Sequence, residues 1–381
     1  MMNNPNHKVI LPPKTVGILG GGQLGRMMAI AAKEMGYRTA VMEPAEDSPC
    51  AQVSDEEVVA GYADRDGAAR LANVSDVLTF EFENIDGDTA EHLASSMYLP
   101  QGSSLLQITQ DRKKEKEAIE AEGVPVAPWA SIDSKAELDA AITRIGLPAV
   151  IKTTRGGYDG KGQAVLRETA DAASAWRDLE GKGPFVLEAF IPFVTEISVI
   201  VSRGTNGDMT TFPVAENIHV NNILHQSIVP ARVPQDVQAK AEDLARTLAE
   251  SLGMIGTLAV EMFVTAEGGL YVNELAPRPH NSGHYTINAC NVSQFAQHIR
   301  AICGLPLIEP ELLKPVVMVN LLGEHMDGAL AQMPIRARAH WHLYGKHEAR
   351  PGRKMGHVNI LTDHIPDTLE DLKSWGIWSH T

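Results

Sequence analysis

Two glutamates, Glu261 and Glu274, stand in apolar segments joined by Ala266-Glu267-Gly268-Gly269. The segments Thr257–Val264 and Gly269–Leu275 read as strands with a Gly-Gly turn between them. A hairpin centred between Glu267 and Gly268 sets Glu261 opposite Glu274. Like charges facing each other across a ladder destabilise it unless a cation bridges them. Mg²⁺ takes one or two carboxylates and completes its shell with phosphate oxygens, so the pair predicts a metal site beside a phosphorylated ligand. A one-residue slip in register would undo it. Asn273 adjoins the second acid, although strict alternation sends its side chain to the other face.

Lys152 ends an apolar strand, and Gly156-Gly157-Tyr158-Asp159-Gly160-Lys161-Gly162-Gln163 follows at once. Glycines this dense free the backbone to fold over a ligand. A lysine beside exposed amides suits the oxygens of a polyphosphate, though the spacing is not that of a P-loop. Tyr158 and Asp159 then sit on a loop able to close as a lid. Arg278, His280 and Asn281 bring a cation, an imidazole and an amide together just after Glu274. Such a cluster can hold a planar anion. Lys346, Arg353 and Lys354 concentrate positive charge in an acidic chain, which suits a substrate phosphate. Glu348 and His357, nearby, fit surface and core roles respectively.

A different glycine loop, Gly20-Gly21-Gly22-Gln23-Leu24-Gly25, follows a strand and opens a helix. It satisfies the dinucleotide fingerprint, and Glu43 falls where a ribose-binding acid would sit. Taken alone it supports an NAD-dependent dehydrogenase, but nothing downstream supplies a hydride-transfer site. The phosphate of a nucleotide substrate suits the same helix end.

These residues need elements to hold them. Strand, helix and strand alternate through Val16–Leu19, a helix to Met35, Thr39–Met42, Val58–Gly61, Val77–Phe82 and a helix at Asp88–Ser96. That pattern predicts a parallel sheet with helices on both faces. A charged helix, Arg112–Glu122, opens a second region with a helix at Lys135–Ile145 and strands at Ala149–Lys152 and Phe185–Ala189. Beyond Ile197 the chain is strand-rich. A long helix (Gln235–Leu252) precedes the hairpin, and the helix Ser293–Cys303, strands at Pro315–Leu322 and Ala339–Tyr344, and a basic turn, Gly352–Gly356, follow it.

At 381 residues the chain suits two or three domains. A net charge of −15 argues against nucleic-acid binding. No apolar run approaches the roughly 18 residues that cross a bilayer, and residues 1–14 read as a tail without the apolar stretch of a signal peptide. Cys50, Cys290 and Cys303 lack metal-ligand spacing and read as buried thiols in a reducing cytoplasm.

The run Leu270-Tyr271-Val272-Asn273-Glu274-Leu275-Ala276-Pro277-Arg278-Pro279-His280-Asn281-Ser282-Gly283-His284, with Gly157–Gln163, resembles the ATP-grasp superfamily. Within it the match is to the 5-(carboxyamino)imidazole ribonucleotide synthetase family. Gly20–Met27, Thr79–Ile85, Ala215–His219 and Gly352–His357 look like the same family, so the resemblance runs from about Thr15 to about Thr362. It implies an α/β ATP-grasp fold divided into a Rossmann-like domain (15–110), an ATP-grasp domain (111–300, with a lid at about 125–190) and a C-terminal domain (301–381).

The resemblance also implies nucleotide-binding roles for Arg112, Lys152, Gly157, Tyr158, Asp159, Gly160, Lys161, Gly162, Gln163, Glu188, Ala189, Phe190, Ile191, Glu196, His219, Asn273 and Glu274. Metal falls on Glu261 and Glu274, and the reacting groups on Tyr158, Asp159, Arg278, His280 and Asn281. Gln23, Leu24, Glu81, Lys346, Arg353 and Lys354 surround the ribonucleotide; of Glu81 and Glu83, Glu81 is favoured. The implied activity is ATP- and Mg²⁺-dependent carboxylation of aminoimidazole ribonucleotide by bicarbonate through carboxyphosphate, in a cytoplasmic homodimer of purine biosynthesis. The neighbouring reading is a formate-dependent glycinamide ribonucleotide transformylase, whose lid loop differs.

Overall fold

A computed structural model describes residues 8–157, 162–179 and 181–378. The first hundred residues form a parallel sheet of β1 (Thr15–Leu19), β2 (Arg38–Glu43), β3 (Glu56–Val59) and β4 (Val77–Phe80), in the order β3-β2-β1-β4. Alternation along β1 explains why both faces are apolar. Val16 and Ile18 join a core with the helices Gln23–Glu34 and Gln294–Ile302, whereas Leu19 joins one with Arg65–Asn73 and Gly87–Ser96.

An antiparallel sheet follows, with β5 (Trp129–Ile132), β6 (Ala149–Thr153), β7 (Gln163–Leu166) and β8 (Phe185–Ala189) in the order β5-β8-β6-β7. The helices Lys135–Ile145 and Asp171–Leu179 pack on it through Leu138, Ile142 and Leu179. The first begins where Ser134 Oγ accepts the Glu137 N–H, a standard N-cap.

The remaining strands make one large sheet. They are β9 (Phe193–Arg203), β10 (Met209–Thr211), β11 (Ala215–Val220), β12 (Ile223–Val229), β13 (Gly256–Thr265), β14 (Leu270–Ala276), β15 (Val316–Leu322), β16 (Ala339–Leu343) and β17 (Lys354–Leu361). Their order is β14-β13-β9-β11-β12-β15-β17-β16, with β10 on β9. The strands after residue 301 therefore extend the sheet that carries the hairpin acids and form no sheet of their own. The basic segment expected as a turn over Gly352–Gly356 turns only as far as Arg353; from Lys354 it is strand β17. The helices Ser104–Thr109, Met326–Gln332 and Ile365–Lys373 add elements that the sequence pattern left as connections.

The hairpin's register is the fact that matters most for the site. Val264 faces Leu270 and Met262 faces Val272, a register centred on Glu267 itself. Continued regularly, it would put Asn273 opposite Glu261. The ladder instead shifts between Met262 and Glu261, leaving Asn273 as the extra residue and setting Glu261 opposite Glu274. Across this bulge strict alternation no longer sets the direction of the Asn273 side chain. All three cysteines are free and buried, and among the described residues no helix is long and apolar enough to cross a membrane.

Candidate active site

Glu261 lies on β13 between Ser198 of β9 and Glu274 of β14. Its side chain is 18% exposed, and burial together with the charge of Glu274 raises its carboxyl above the usual range. His280 Nε2 stands 3.2 Å from Glu261 Oε1. Glu115, absent from the sequence reading, is buried just behind: its Oε1 accepts the N–H of Leu275, next to Glu274, at 2.8 Å. Burial and Glu274 raise its carboxyl as well. Among the described residues no three His, Cys, Asp or Glu side chains form a metal cage. The opposed pair does supply the two oxygen ligands that a hard cation takes beside a polyphosphate, and their mutual repulsion favours one. Mg²⁺ fits this donor set.

A second group of polar contacts gathers on one helix face. Within Arg112–Ala121, Arg112 Nη2 donates to Gly157 O at 2.9 Å, Glu115 holds β14, and Lys116 Nζ lies 3.2 Å from Glu188 Oε2. Positions three and four apart share a helix face. Lys152 Nζ reaches the same Glu188 oxygen at 3.1 Å. Gln163 pairs with Lys152 across β6 and β7, and Gly162 at φ +72° has no room for a side chain against Thr153. Ala189 ends β8, and Phe190, which is exposed, and Ile191 lead on toward β9. Glu196 on β9 sits 3.2 Å from His219 on β11. Burial pulls that imidazole down, but Glu196 outweighs it and holds His219 above its ordinary value. Tyr158, Asp159, Gly160 and Lys161 lie outside the described residues.

Just after β14, Arg278 pairs with Glu83 and donates to Pro279 O at 3.2 Å, while its Nε has no partner among the described residues. Glu83 therefore joins this segment through Arg278, while the Glu81 carboxylate lies in the first glycine loop. Neither side-chain atom of buried Asn281 has a partner among the described residues. An unpaired buried amide is costly, and it marks where a polar ligand fits. Gln294 secures this segment from the helix Gln294–Ile302: its Oε1 accepts the His280 N–H at 2.9 Å and its Nε2 donates to His280 O at 2.7 Å.

The first glycine loop holds an anion of the chain's own. Glu81 accepts the N–H groups of Gly22 and, at 2.7 Å, Gly25, and Glu43 accepts that of Gly21 at 2.7 Å. A pyrophosphate would have to displace both carboxylates, so the dinucleotide reading loses its physical basis. Gln23 and Leu24 lie between those glycines at the helix start, where N–H groups lack intrahelical partners. Lys346 joins this corner. Its Nζ donates to Lys354 O at 2.7 Å; burial and the Arg353 charge push its ammonium down to about 8, against a pull from Glu81. Lys354 is close enough to perturb His219, Glu261 and His280. Glycine loop, hairpin acids, the 278–281 segment and the basic strand thus converge. Glu348 pairs with Arg350 at the surface, and His357 is fully buried.

The N5-carboxyaminoimidazole ribonucleotide synthase of Bacillus subtilis (strain 168) is 53% identical over 365 residues, 96% of each chain. The chain belongs to the N5-carboxyaminoimidazole ribonucleotide synthase family. The enzyme of the same name from Staphylococcus aureus (strain COL) is 43% identical over 359 residues, 94% of this chain and 95% of its own. Family models match as an ATP-grasp domain over 117–295, a ribonucleotide synthetase preATP-grasp domain over 13–110 and a phosphoribosylaminoimidazole carboxylase C-terminal domain over 316–371. Among solved structures, an ADP complex of an N5-carboxyaminoimidazole ribonucleotide synthetase superposes with TM-score 0.96 at 58% identity, over 98% of this chain and 99% of that one. An Aspergillus clavatus synthase with ADP and 5-aminoimidazole ribonucleotide superposes with TM-score 0.87 at 30% identity, over 95% and 97%. The fold is mixed α/β, an ATP-grasp domain with its preATP-grasp and C-terminal partners.

Proposed function

We propose that this chain is an ATP-grasp carbon–nitrogen ligase that carboxylates 5-aminoimidazole ribonucleotide with bicarbonate, consuming ATP and giving N5-carboxyaminoimidazole ribonucleotide, ADP and phosphate. The observation that carries this reading is the meeting of an opposed carboxylate pair, suited to a metal–triphosphate, with a buried Asn281 amide that has no partner among the described residues and a basic strand suited to a phosphorylated partner.

Lys152, with the 157–163 loop, holds the triphosphate, and the 188–191 segment and Glu196 hold adenine and ribose beside His219. Glu261 and Glu274 hold Mg²⁺, which when bound neutralises charge on the transferring phosphoryl group. Arg278 and Asn281 orient bicarbonate so that one of its oxygens displaces ADP from the γ-phosphorus, giving carboxyphosphate. Gln23, Leu24, Glu81, Lys346, Arg353 and Lys354 hold the ribonucleotide with its amine toward that carbon. The C–N bond then forms, phosphate leaves, and the amine gives up a proton. Exclusion of water from the intermediate is assigned to the glycine-rich loop that carries Tyr158 and Asp159.

The division at residues 110 and 300, a homodimer and a cytoplasmic setting belong to the same proposal and rest on family resemblance. Light scattering giving a particle of one chain mass would remove the dimer. The activity is tested by phosphate release with ATP, Mg²⁺ and bicarbonate. Addition of aminoimidazole ribonucleotide should stimulate it with matched formation of the carbamate; unchanged release on that addition would reject the reading.

A further inference from the structure

Behind His280 runs one line of buried hydrogen bonds that the chemistry above does not use. Ser227 Oγ donates to Asn217 Oδ1 at 2.8 Å, Asn217 Nδ2 donates to Ser198 Oγ at 2.9 Å, and Ser198 Oγ donates to Ser282 Oγ at 2.7 Å. Ser282 Oγ lies 2.9 Å from His280 Nδ1, and His280 Nε2 lies 3.2 Å from Glu261 Oε1. The line crosses β12, β11 and β9, steps onto the 281–283 turn and ends at β13. Every member before His280 is buried, with Ser227 and Ser282 at 0% exposure.

Its direction is fixed from both ends. The backbone N–H of Ser282 also points at His280 Nδ1, at 3.3 Å, and an N–H can only donate. His280 Nδ1 is therefore an acceptor, and the ring's single proton sits on Nε2, facing the Glu261 carboxylate. Upstream, Ser198 Oγ accepts a hydrogen bond from Asn217 and Ser282 Oγ accepts one from Ser198, so each hydroxyl's own hydrogen points forward along the line.

We propose that Ser198, Asn217 and Ser282 are positioning residues for Glu261. They lock His280 in the tautomer that presents an N–H to the carboxylate, which offsets part of the repulsion from Glu274 and aims the carboxylate at the ion. His280 is then a fixed donor and does not take the proton released by the substrate amine. The inference rests on the reading of Glu261 as a metal ligand. Partners one layer behind a ligand commonly change metal affinity by roughly 10–100-fold when removed.

The test measures Mn²⁺ binding to the ADP-loaded protein by electron paramagnetic resonance, with no turnover involved. Ser198→Ala should weaken Mn²⁺ about tenfold or more, leave metal-free ADP binding unchanged, and be restored by Ser198→Thr, which keeps the hydroxyl. Long-range ¹⁵N–¹H spectra of the wild-type protein should place the His280 proton on Nε2, and this result stands even where Ser198→Ala does not fold. Two outcomes overturn the positioning role: a proton on Nδ1, or Ser198→Ala binding Mn²⁺ normally while Glu261→Gln does not. Normal Mn²⁺ binding by Glu261→Gln would instead overturn the metal-ligand reading beneath it.

Discussion

Lys116 and Lys152 converge on a single oxygen of Glu188, their Nζ atoms 3.2 and 3.1 Å away. Lys116 is 3% exposed at its side chain and Lys152 17%. The two ammoniums pull the buried Glu188 carboxyl below the usual range against its burial. One counter-charge would satisfy Glu188, so the second is free to leave. Lys152, the more accessible, can move to phosphate oxygens while Lys116 keeps Glu188 neutralised.

Lys116→Met should therefore raise the KM for ATP, because recruiting Lys152 would strand a buried carboxylate, a loss of the order of 3–5 kcal/mol when complete. Adding Glu188→Gln removes the stranded charge and should recover much of that loss. Steady-state kinetics on the single and double variants decide it. If the double variant is no better than Lys116→Met alone, Lys116 merely packs.

The opposed acids predict a trade between stability and function. Glu274→Gln removes a like charge facing Glu261, so in EDTA its melting point should equal or exceed that of the parent, by up to about 1 kcal/mol in stability. Mg-ADP should stabilise the parent by mass action and the variant far less. Turnover should fall by at least about a hundredfold. Thermal melts with and without Mg-ADP check both signs, and an equal Mg-ADP shift in the two proteins would exclude Glu274 from the metal.

Short-range pattern made part of this site legible. Glu261, Glu274, Lys152 and the glycine loops stand out because strand ends, turns and Gly density are written within a few neighbouring residues. The hairpin reading placed Glu261 opposite Glu274 by assuming a centre one half-residue from the real one, and the Asn273 bulge supplied the difference. Nothing in the apolar pattern marks a bulge. Glu115 and Lys116 stayed hidden in a helix whose composition suits a solvated surface; their partners, Leu275 and Glu188, lie far along the chain. Ser198, Asn217 and Gln294 are common residue types whose roles exist only once the sheet and the 278–284 segment are assembled. The first glycine loop misled for a related reason, since its occupant, Glu81, comes from another strand's end.

That occupant makes Gly22 a sharp probe. A Cβ there would stand 2.4 Å from Glu81 Oε1, so Gly22→Ala must push the carboxylate out of its cradle. Misplacement on this scale can cost one to two orders of magnitude in a positioned reaction. The Kd for aminoimidazole ribonucleotide should rise about tenfold or more while the Kd for ATP stays near the parent value. Isothermal titration with each ligand separates the two, and an equal loss for both would place Glu81 in general packing.

Lys346 predicts the pH dependence. Its ammonium is pushed from the ordinary value near 10.4 down to about 8 by burial and the adjacent Arg353. A lowered cation is charged below that pH and neutral above it, so attraction for a substrate phosphate is present on the acid side and fades as pH rises through 8. Because kcat/KM reports the free enzyme, kcat/KM for aminoimidazole ribonucleotide should break downward near pH 8, whereas kcat/KM for ATP should show no break from this group. Bound phosphate favours the charged form, so the corresponding break in kcat should move to higher pH. Lys346→Arg keeps its charge throughout and should erase the break. A Lys346→Arg profile that still falls at the same pH would assign the titration to another group and remove Lys346 from the phosphate site.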